Sequence, residues 1–240
     1  MARNLPAYLF RKGGYTMKRR TFITILLILA ISLVGVNSFA EGRKAHYELT
    51  ITNITKGLLF TPILLLTHKK GVKLFTPGSP ASEALEELAE GGNTVPLTSM
   101  MSMNPKVGSI MTIGALGPGE TIIAEIPSER GFNYVSLASM LLPTNDGFIS
   151  LNGVRAPLGN KTVMYLSPGY DAGTEINDEL CSNIPGPHCG GEAVREEDGE
   201  GYVHIHSGIH DIGDLSSADY DWRNPVARIV IKRIIMKENH

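Results

Sequence analysis

"MLLPTNDGFISLNG", Met140 to Gly153, and "LSPGYDAGTEIND", Leu166 to Asp178, hold the key to the fold. Each joins an apolar run to a cluster of Pro, Gly, Asn and Thr that also carries acidic residues. Short apolar runs bounded by such clusters read as strands ending in turns. The same signature recurs along the chain. In "HYELTITNIT", Tyr47, Leu49 and Ile51 point one way and Glu48, Thr50 and Thr52 the other, the period of two expected of a half-buried strand. "LLFTPILLLTHK" reads as a more buried strand. Its Pro62 cannot donate to a ladder, so an edge or bulge is expected there. "GSIMTIGAL", "TIIAEI", "NYVSLASML", "GFISLNG", "KTVMYL", "GYVHIHSG" and "PVARIVIKRIIM" complete a series of nine strands. That series predicts an all-β chain, a sandwich or barrel.

One helix is expected to interrupt it. "SPASEALEELAEGGN" offers Ser79 as N-cap, Pro80 at the first helical position and Gly91 as the stop, with Ala81, Leu85, Leu88 and Ala89 as the apolar face. Its glutamates are expected to face water, and the helix to serve as a cover on the β core.

The first forty residues differ in kind from the rest. They hold six Lys or Arg and no Asp or Glu. "MKRR" (Met17–Arg20), the apolar "FITILLILAISLVGV" (Phe22–Val36) and "SFA" (Ser38–Ala40) follow in the order of a secretory signal peptide. The apolar run falls short of a membrane span. "KGGYTM" (Lys12–Met17) can be encoded by a purine-rich ribosome-binding sequence and a start codon, which points to Met17 as the start and to a bacterial source. The expectation is cleavage after Ala40, a single domain over residues 41–240, and export to the periplasm or the medium. Removing the six leader cations from the chain's 22 leaves 16 against 24 acidic residues, a net charge of −8. Nothing in the sequence forms the basic stripe of a nucleic-acid binder.

Cys181 and Cys189, in "CSNIPGPHCGG", are the only cysteines. In an oxidising compartment they are expected to close a local disulfide. A zinc pair is the lesser reading, because the spacing is not that of a zinc knuckle. Asn53-Ile54-Thr55 and Asn160-Lys161-Thr162 match the N-glycosylation pattern, which in a bacterial chain is a chance match.

Two constellations carry possible chemistry. Asp146, Asp171 and Glu175 lie on loops after strands, and Gly173 permits a tight turn between the last two. They are either solvated turn residues or ligands of a hard cation such as calcium, which takes six to eight oxygens. His204, His206 and His210, in "HIHSGIH", form the rival set, with His188 as a further candidate. Positions i and i+2 share a strand face, so these side chains either bind zinc in a metal-dependent hydrolase or are surface and hydrogen-bonded histidines. No G-x-S-x-G elbow, phosphate loop or dinucleotide fingerprint is present, and no catalytic constellation is expected.

"SMLLPTNDGFISLNG", "PGYDAGTEIND", "GEGYVHIHSGIHDIGDL" and "YDWRNPVARIVI", taken in order, resemble the spondin amino-terminal domain in its bacterial exported branch. The resemblance runs from about Tyr47 to Ile235. Animal members of the family, F-spondin among them, carry the domain in extracellular matrix proteins. The resemblance implies an antiparallel β-sandwich similar to calcium-dependent phospholipid-binding domains. It also implies one Ca2+ held by three acidic positions. One lies after the S-M-(apolar)₂-P-(small)₂-D run, here Asp146. The others are the first and fifth positions of D-A-G-T-(D/E), here Asp171 and Glu175. Glu175 departs from the Asp typical of animal members, and Gly147 from their aromatic residue. The implied function is a binding or adhesion-type module whose partner is a protein or glycan at the cell envelope or outside. An envelope structural protein holding no ion is a further alternative.

Overall fold

The computed structural model describes residues 45–194 and 199–235. The leader and signal-peptide expectations, and the start at Met17, fall on residues outside that span. Among the described residues the chain forms eleven strands. They are β1 (Ala45–Asn53), β2 (Leu59–Phe60), β3 (Ile63–His68), β4 (Val107–Ile113), β5 (Thr121–Ser128), β6 (Tyr134–Leu142), β7 (Gly147–Arg155), β8 (Thr162–Ser167), β9 (Gly169–Asp171), β10 (His204–Ile205) and β11 (Ala227–Ile235).

They build two antiparallel sheets. One has four strands in the order β5-β1-β11-β8, and the other runs β10-β9-β7-β6-β3-β4, with β2 added beside β6. In the smaller sheet Leu49 lies opposite Ile231 and Ala124, and Ile51 opposite Ile229. These inward positions meet Ile63, Leu65, Leu137, Ile149 and Leu151 of the larger sheet in the main core. The architecture is the expected sandwich.

The larger sheet is covered on its second face as well. Leu64 and Leu66, which alternate with Ile63 and Leu65, join Ala138, Phe148, Leu85, Leu88 and Leu97 in a second core. That is why every residue of β3 is buried. Helices α1 (Glu83–Gly91) and α2 (Val95–Ser102) supply the cover. So two helices stand where one was expected. The second has Thr94 as its cap residue and a proline in its first turn, and its face is too weakly periodic to read from sequence.

The caps of α1 also differ in part from expectation. Its N-cap is Ser82, whose Oγ accepts from the Leu85 N–H. Ser79 is engaged elsewhere, since its carbonyl accepts from Val203 N at 2.9 Å. Helix α1 ends at Gly91, as expected, and the next residue, Gly92, left-handed at φ 66°, caps it. Nor do all its glutamates face water, for Glu90 is fully buried.

Pro62 separates β2 from β3, in line with a break in the ladder. β9 lies within a stretch read as loop, and "GYVHIHSG" shrinks to the two residues of β10. Asn53 is fully buried, donating to the carbonyls of Leu58 and Leu116. It ties a turn to its neighbour, which explains that N-x-T match structurally. Cys181 and Cys189 form the expected disulfide, with Cα atoms 4.6 Å apart. It clips a 3₁₀ turn (Cys181–Asn183) to α3 (Gly186–Cys189). No described helix is long and apolar enough to cross a membrane.

Candidate metal centre

Strand register assembles the acidic end of the larger sheet. Gly147, the first residue of β7, lies opposite Asp171, the last of β9, and Asp171 lies opposite His204, the first of β10. Three neighbouring strands thus bring Asp146, Asp171 and His204 to one sheet end. The Ala172 N–H donates to the Asp146 carbonyl at 3.2 Å and holds the two turns together. Gly173, at φ 68°, is packed so tightly that a Cβ would fall 2.4 Å from the Tyr202 carbonyl oxygen. The Asp171–Glu175 turn therefore lies flat on the segment leading into β10.

Asp146 is fully buried. Its Oδ2 accepts from Thr174 N at 2.8 Å, from Glu175 N at 3.2 Å and from the Thr174 hydroxyl at 3.3 Å. Its Oδ1 is buried and has no hydrogen-bond partner among the described residues. Burial, and then the adjacent Asp171 charge, push its pKa up to about 8 despite the two backbone donors. Asp171 is also buried. Its Oδ1 accepts from Gly173 N at 2.8 Å, and its Oδ2 from the Asn177 amide at 2.7 Å. Burial raises its pKa, while Asn177 and His204 lower it. Glu175 is 1% exposed, held beside Asp146 through its own backbone N–H.

Among the described residues no lysine or arginine pairs with Asp146 or Asp171; the nearest cationic candidate is His204, whose Nδ1 stands 3.5 Å from Asp171 Oδ1. Burying a carboxylate costs several kcal/mol unless a counter-charge repays it. Two carboxylates side by side must either hold a proton or share a cation. A donor set made only of oxygens fits a hard dication, and Asp146 Oδ1 is a buried acceptor free to take one. On that observation Asp146, Asp171 and Glu175 suit calcium.

The ligand atoms of Asp146, Asp171 and Glu175 do not all come within 4.8 Å of one another. Among the described residues, two groups of three bring their ligand atoms within 4.8 Å of one another: Asp171, Glu200 and His204, and Cys181, His188 and Cys189. The second is already occupied by the disulfide. Glu200, in the acidic run "EEDGEG", is exposed. Yet the Asn177 amide reaches its Oε1 at 3.5 Å. No spacing in the sequence marks Glu200 or Asn177. Only the β9–β10 register does.

His204, His206 and His210 do not converge as one such group. His204 sits beside Asp171. His206 is buried against Trp222, with ring centroids 4.9 Å apart, and its Nδ1 accepts from Gly208 N. Burial drives its pKa down to about 3. His210 is exposed, contacting the Ser207 hydroxyl through Nε2, and His188 pairs with the Tyr220 hydroxyl. The strand that was to put His204 and His206 on one face ends at Ile205.

Two sheets closed around one core, with acidic turns gathered at a sheet end, define the class: a β-sandwich with a candidate cation site. The Spondin_N family model matches residues 46–178, more than half of the chain. The chain belongs to the spondin N-terminal domain family. No curated protein matches the chain. Membership points to an extracellular binding or adhesion-type module, in a family that is typically non-enzymatic. Asp146, Asp171 and Glu175 lie inside the matched span, and Glu200 and His204 beyond it. β11 is beyond it too, although it lies between β1 and β8, so the smaller sheet is completed by residues outside the match.

Proposed function

We propose that the chain is an exported, calcium-binding β-sandwich acting as a binding or adhesion-type module in the cell envelope or outside the cell. Family membership supports the module, and the leader's n-region, h-region and "SFA" order supports export. The observation that carries calcium is Asp146 Oδ1, a buried acceptor without a hydrogen-bond partner, beside the buried Asp171. A cation there neutralises both and joins the turn after β6 to the turn after β9. Its role is structural, fixing the end of the sheet at which a protein or glycan partner would be met.

The test is thermal melting of the protein in chelator and in millimolar calcium. A ligand that binds only the native state adds about 2.7 kcal/mol at a hundredfold excess over Kd. Extracellular calcium modules bind at about 10⁻⁴–10⁻³ M, so millimolar calcium is the working range. Wild type should melt higher with calcium, Asp146→Asn should not respond, and Glu125→Gln, exposed on β5, should respond as wild type does. Equal shifts in wild type and Asp146→Asn would remove Asp146 from the site.

A further inference from the structure

We propose that Asp171, Glu200 and His204 form a second divalent-cation position, at the rim of the acidic end, whose nitrogen donor selects a zinc-class transition metal over calcium. The proposal shares Asp171 with the calcium reading but does not depend on it.

The donor chemistry argues first. Calcium is bound by oxygen, whereas imidazole suits zinc and its neighbours. Zinc accepts a mixed set of one imidazole and two carboxylates, at about 2.0–2.2 Å from each. Donors bound to one such ion lie at most about twice that length apart. The ligand atoms here are already within 4.8 Å of one another, so small side-chain adjustments close the set. The tightest grouping at this end of the sheet is the one that contains the nitrogen.

The support behind the ligands argues next. Metal ligands work when outer hydrogen bonds hold them in place. The Asn177 amide donates to Asp171 Oδ2 at 2.7 Å and reaches Glu200 Oε1 at 3.5 Å, so one side chain orients two carboxylates. The antiparallel ladder fixes His204 across from Asp171, and the Tyr202 carbonyl lies 3.2 Å from His204 Nδ1. The Gly201 N–H bonds to the Gly173 carbonyl at 2.8 Å, which ties the segment bearing Glu200 and leading into His204 to the turn after Asp171.

Charge and access complete the case. Among the described residues no lysine or arginine pairs with Asp171 or Glu200. Asp146, fully buried and with an Oδ1 that has no partner among the described residues, immediately precedes Gly147, which lies opposite Asp171 in the sheet. The His204 side chain is 29% exposed and that of Asp171 1%. The position therefore opens to solvent on the histidine and Glu200 side and is closed on the Asp171 side, so an ion can enter without unfolding the turn.

The experiment is calorimetric titration of the chelator-stripped full chain with zinc chloride, once without calcium and once in millimolar calcium. Wild type should take up one zinc per chain in both buffers. His204→Ala and Glu200→Gln should each weaken zinc at least tenfold and leave the calcium-dependent melting shift in place. Glu200 is exposed, so its variant keeps the fold even if His204→Ala does not. His210→Ala, an exposed histidine outside the cluster, should bind as wild type does. Asp146→Asn should keep zinc while losing the calcium shift. If calcium shifts nothing but His204→Ala still loses zinc, the calcium reading fails and the rim position stands. Identical zinc titrations for wild type, His204→Ala and Glu200→Gln would overturn the proposal. So would zinc uptake that millimolar calcium abolishes, since a single shared position would then be at work.

Discussion

Asp146 and Glu179 are both buried carboxylates, and their side chains do opposite things. Glu179 Oε1 accepts from His210 N at 2.6 Å and Oε2 from Ile212 N at 3.0 Å. Its own carbonyl accepts from Asp214 N at 2.7 Å, and its N–H donates to the Asn145 side chain at 3.3 Å. Every polar atom of Glu179 has a partner. It staples the disulfide-bearing segment to the His210–Asp214 loop. Asp146, one residue beyond Asn145, has one oxygen saturated and the other without a partner among the described residues. Full satisfaction marks a residue that serves the fold. Half satisfaction in a buried site marks one that leaves room for something else. The buried histidines divide the same way. His68 uses both ring nitrogens, on the Lys69 carbonyl and the Ser136 hydroxyl, whereas His206 Nε2 has no partner among the described residues.

The largest effect should come from the staple. Glu179→Ala leaves two part-buried backbone donors, those of His210 and Ile212, without acceptors. Bonds to a charged acceptor contribute about 1.5–3 kcal/mol each, so the loss should be about 3 kcal/mol in urea denaturation. The calcium response should persist. A loss below about 0.5 kcal/mol, within the range of ordinary surface substitutions, would break the distinction between the two carboxylates.

The disulfide belongs to the same stapled half, and its removal ranks next. Closing a loop across eight residues of sequence separation constrains the unfolded chain and contributes about 2 kcal/mol. Cys181→Ala combined with Cys189→Ala should lower stability by that amount and leave calcium affinity unchanged. A fall in calcium affinity would show that the two halves are coupled through Asn145, which donates to Asp178 at 3.0 Å and sits beside Asp146.

Asp146→Asn should have a smaller effect, of the opposite sign. In chelator, asparagine keeps an acceptor oxygen for Thr174 N and Glu175 N and removes a charge that burial disfavours. The variant should be more stable than metal-free wild type by about 1 kcal/mol, because a carboxyl whose pKa burial pushes up to about 8 must take up a proton on folding at neutral pH, and an amide need not. A metal-free variant less stable than wild type would mean that Asp146, like Glu179, is there for the fold.

How much of this was legible follows from the physics of each signal. Alternation is local, so β1, β5 and β8 could be read residue by residue, and so could the sandwich. The disulfide was legible because two cysteines in a turn-rich segment have little choice. Asp146 and Asp171 were marked by their turns, but their burial was not, because burial depends on how β9 docks beside β7. Glu179 and Glu200 carried no signal at all. One is separated from its donors by about thirty residues, and the other meets His204 only through a two-residue strand. The α1 cap moved from Ser79 to Ser82 because a tertiary contact with Val203 claimed the earlier serine. The histidine cluster was misleading for a related reason: an i, i+2 pattern shares a face only while the strand lasts, and β10 ends before His206.

The smallest expected effect tests the satisfied histidine. His68 is fully buried, and burial lowers its pKa, opposed by the Lys69 carbonyl and reinforced by the Lys73 charge. The unfolded chain therefore takes up a proton near pH 6.5 that the folded protein refuses until lower pH. The stabilisation is fully present above the unfolded value and is lost as pH falls below it, since the unfolded state then binds more protons. Wild type should lose stability between pH 7.5 and 5.5 through this group. His68→Gln retains an amide for the Ser136 and Lys69 partners and has no proton to gain, so its stability should fall less over the same interval. Any other group titrating there, the acidic end included, is common to both proteins and drops out of the difference. Urea denaturation at several pH values across that window gives both slopes. Equal slopes would mean that His68 titrates alike in the folded and unfolded chain, and that burial does not, at this site, hold the imidazole neutral.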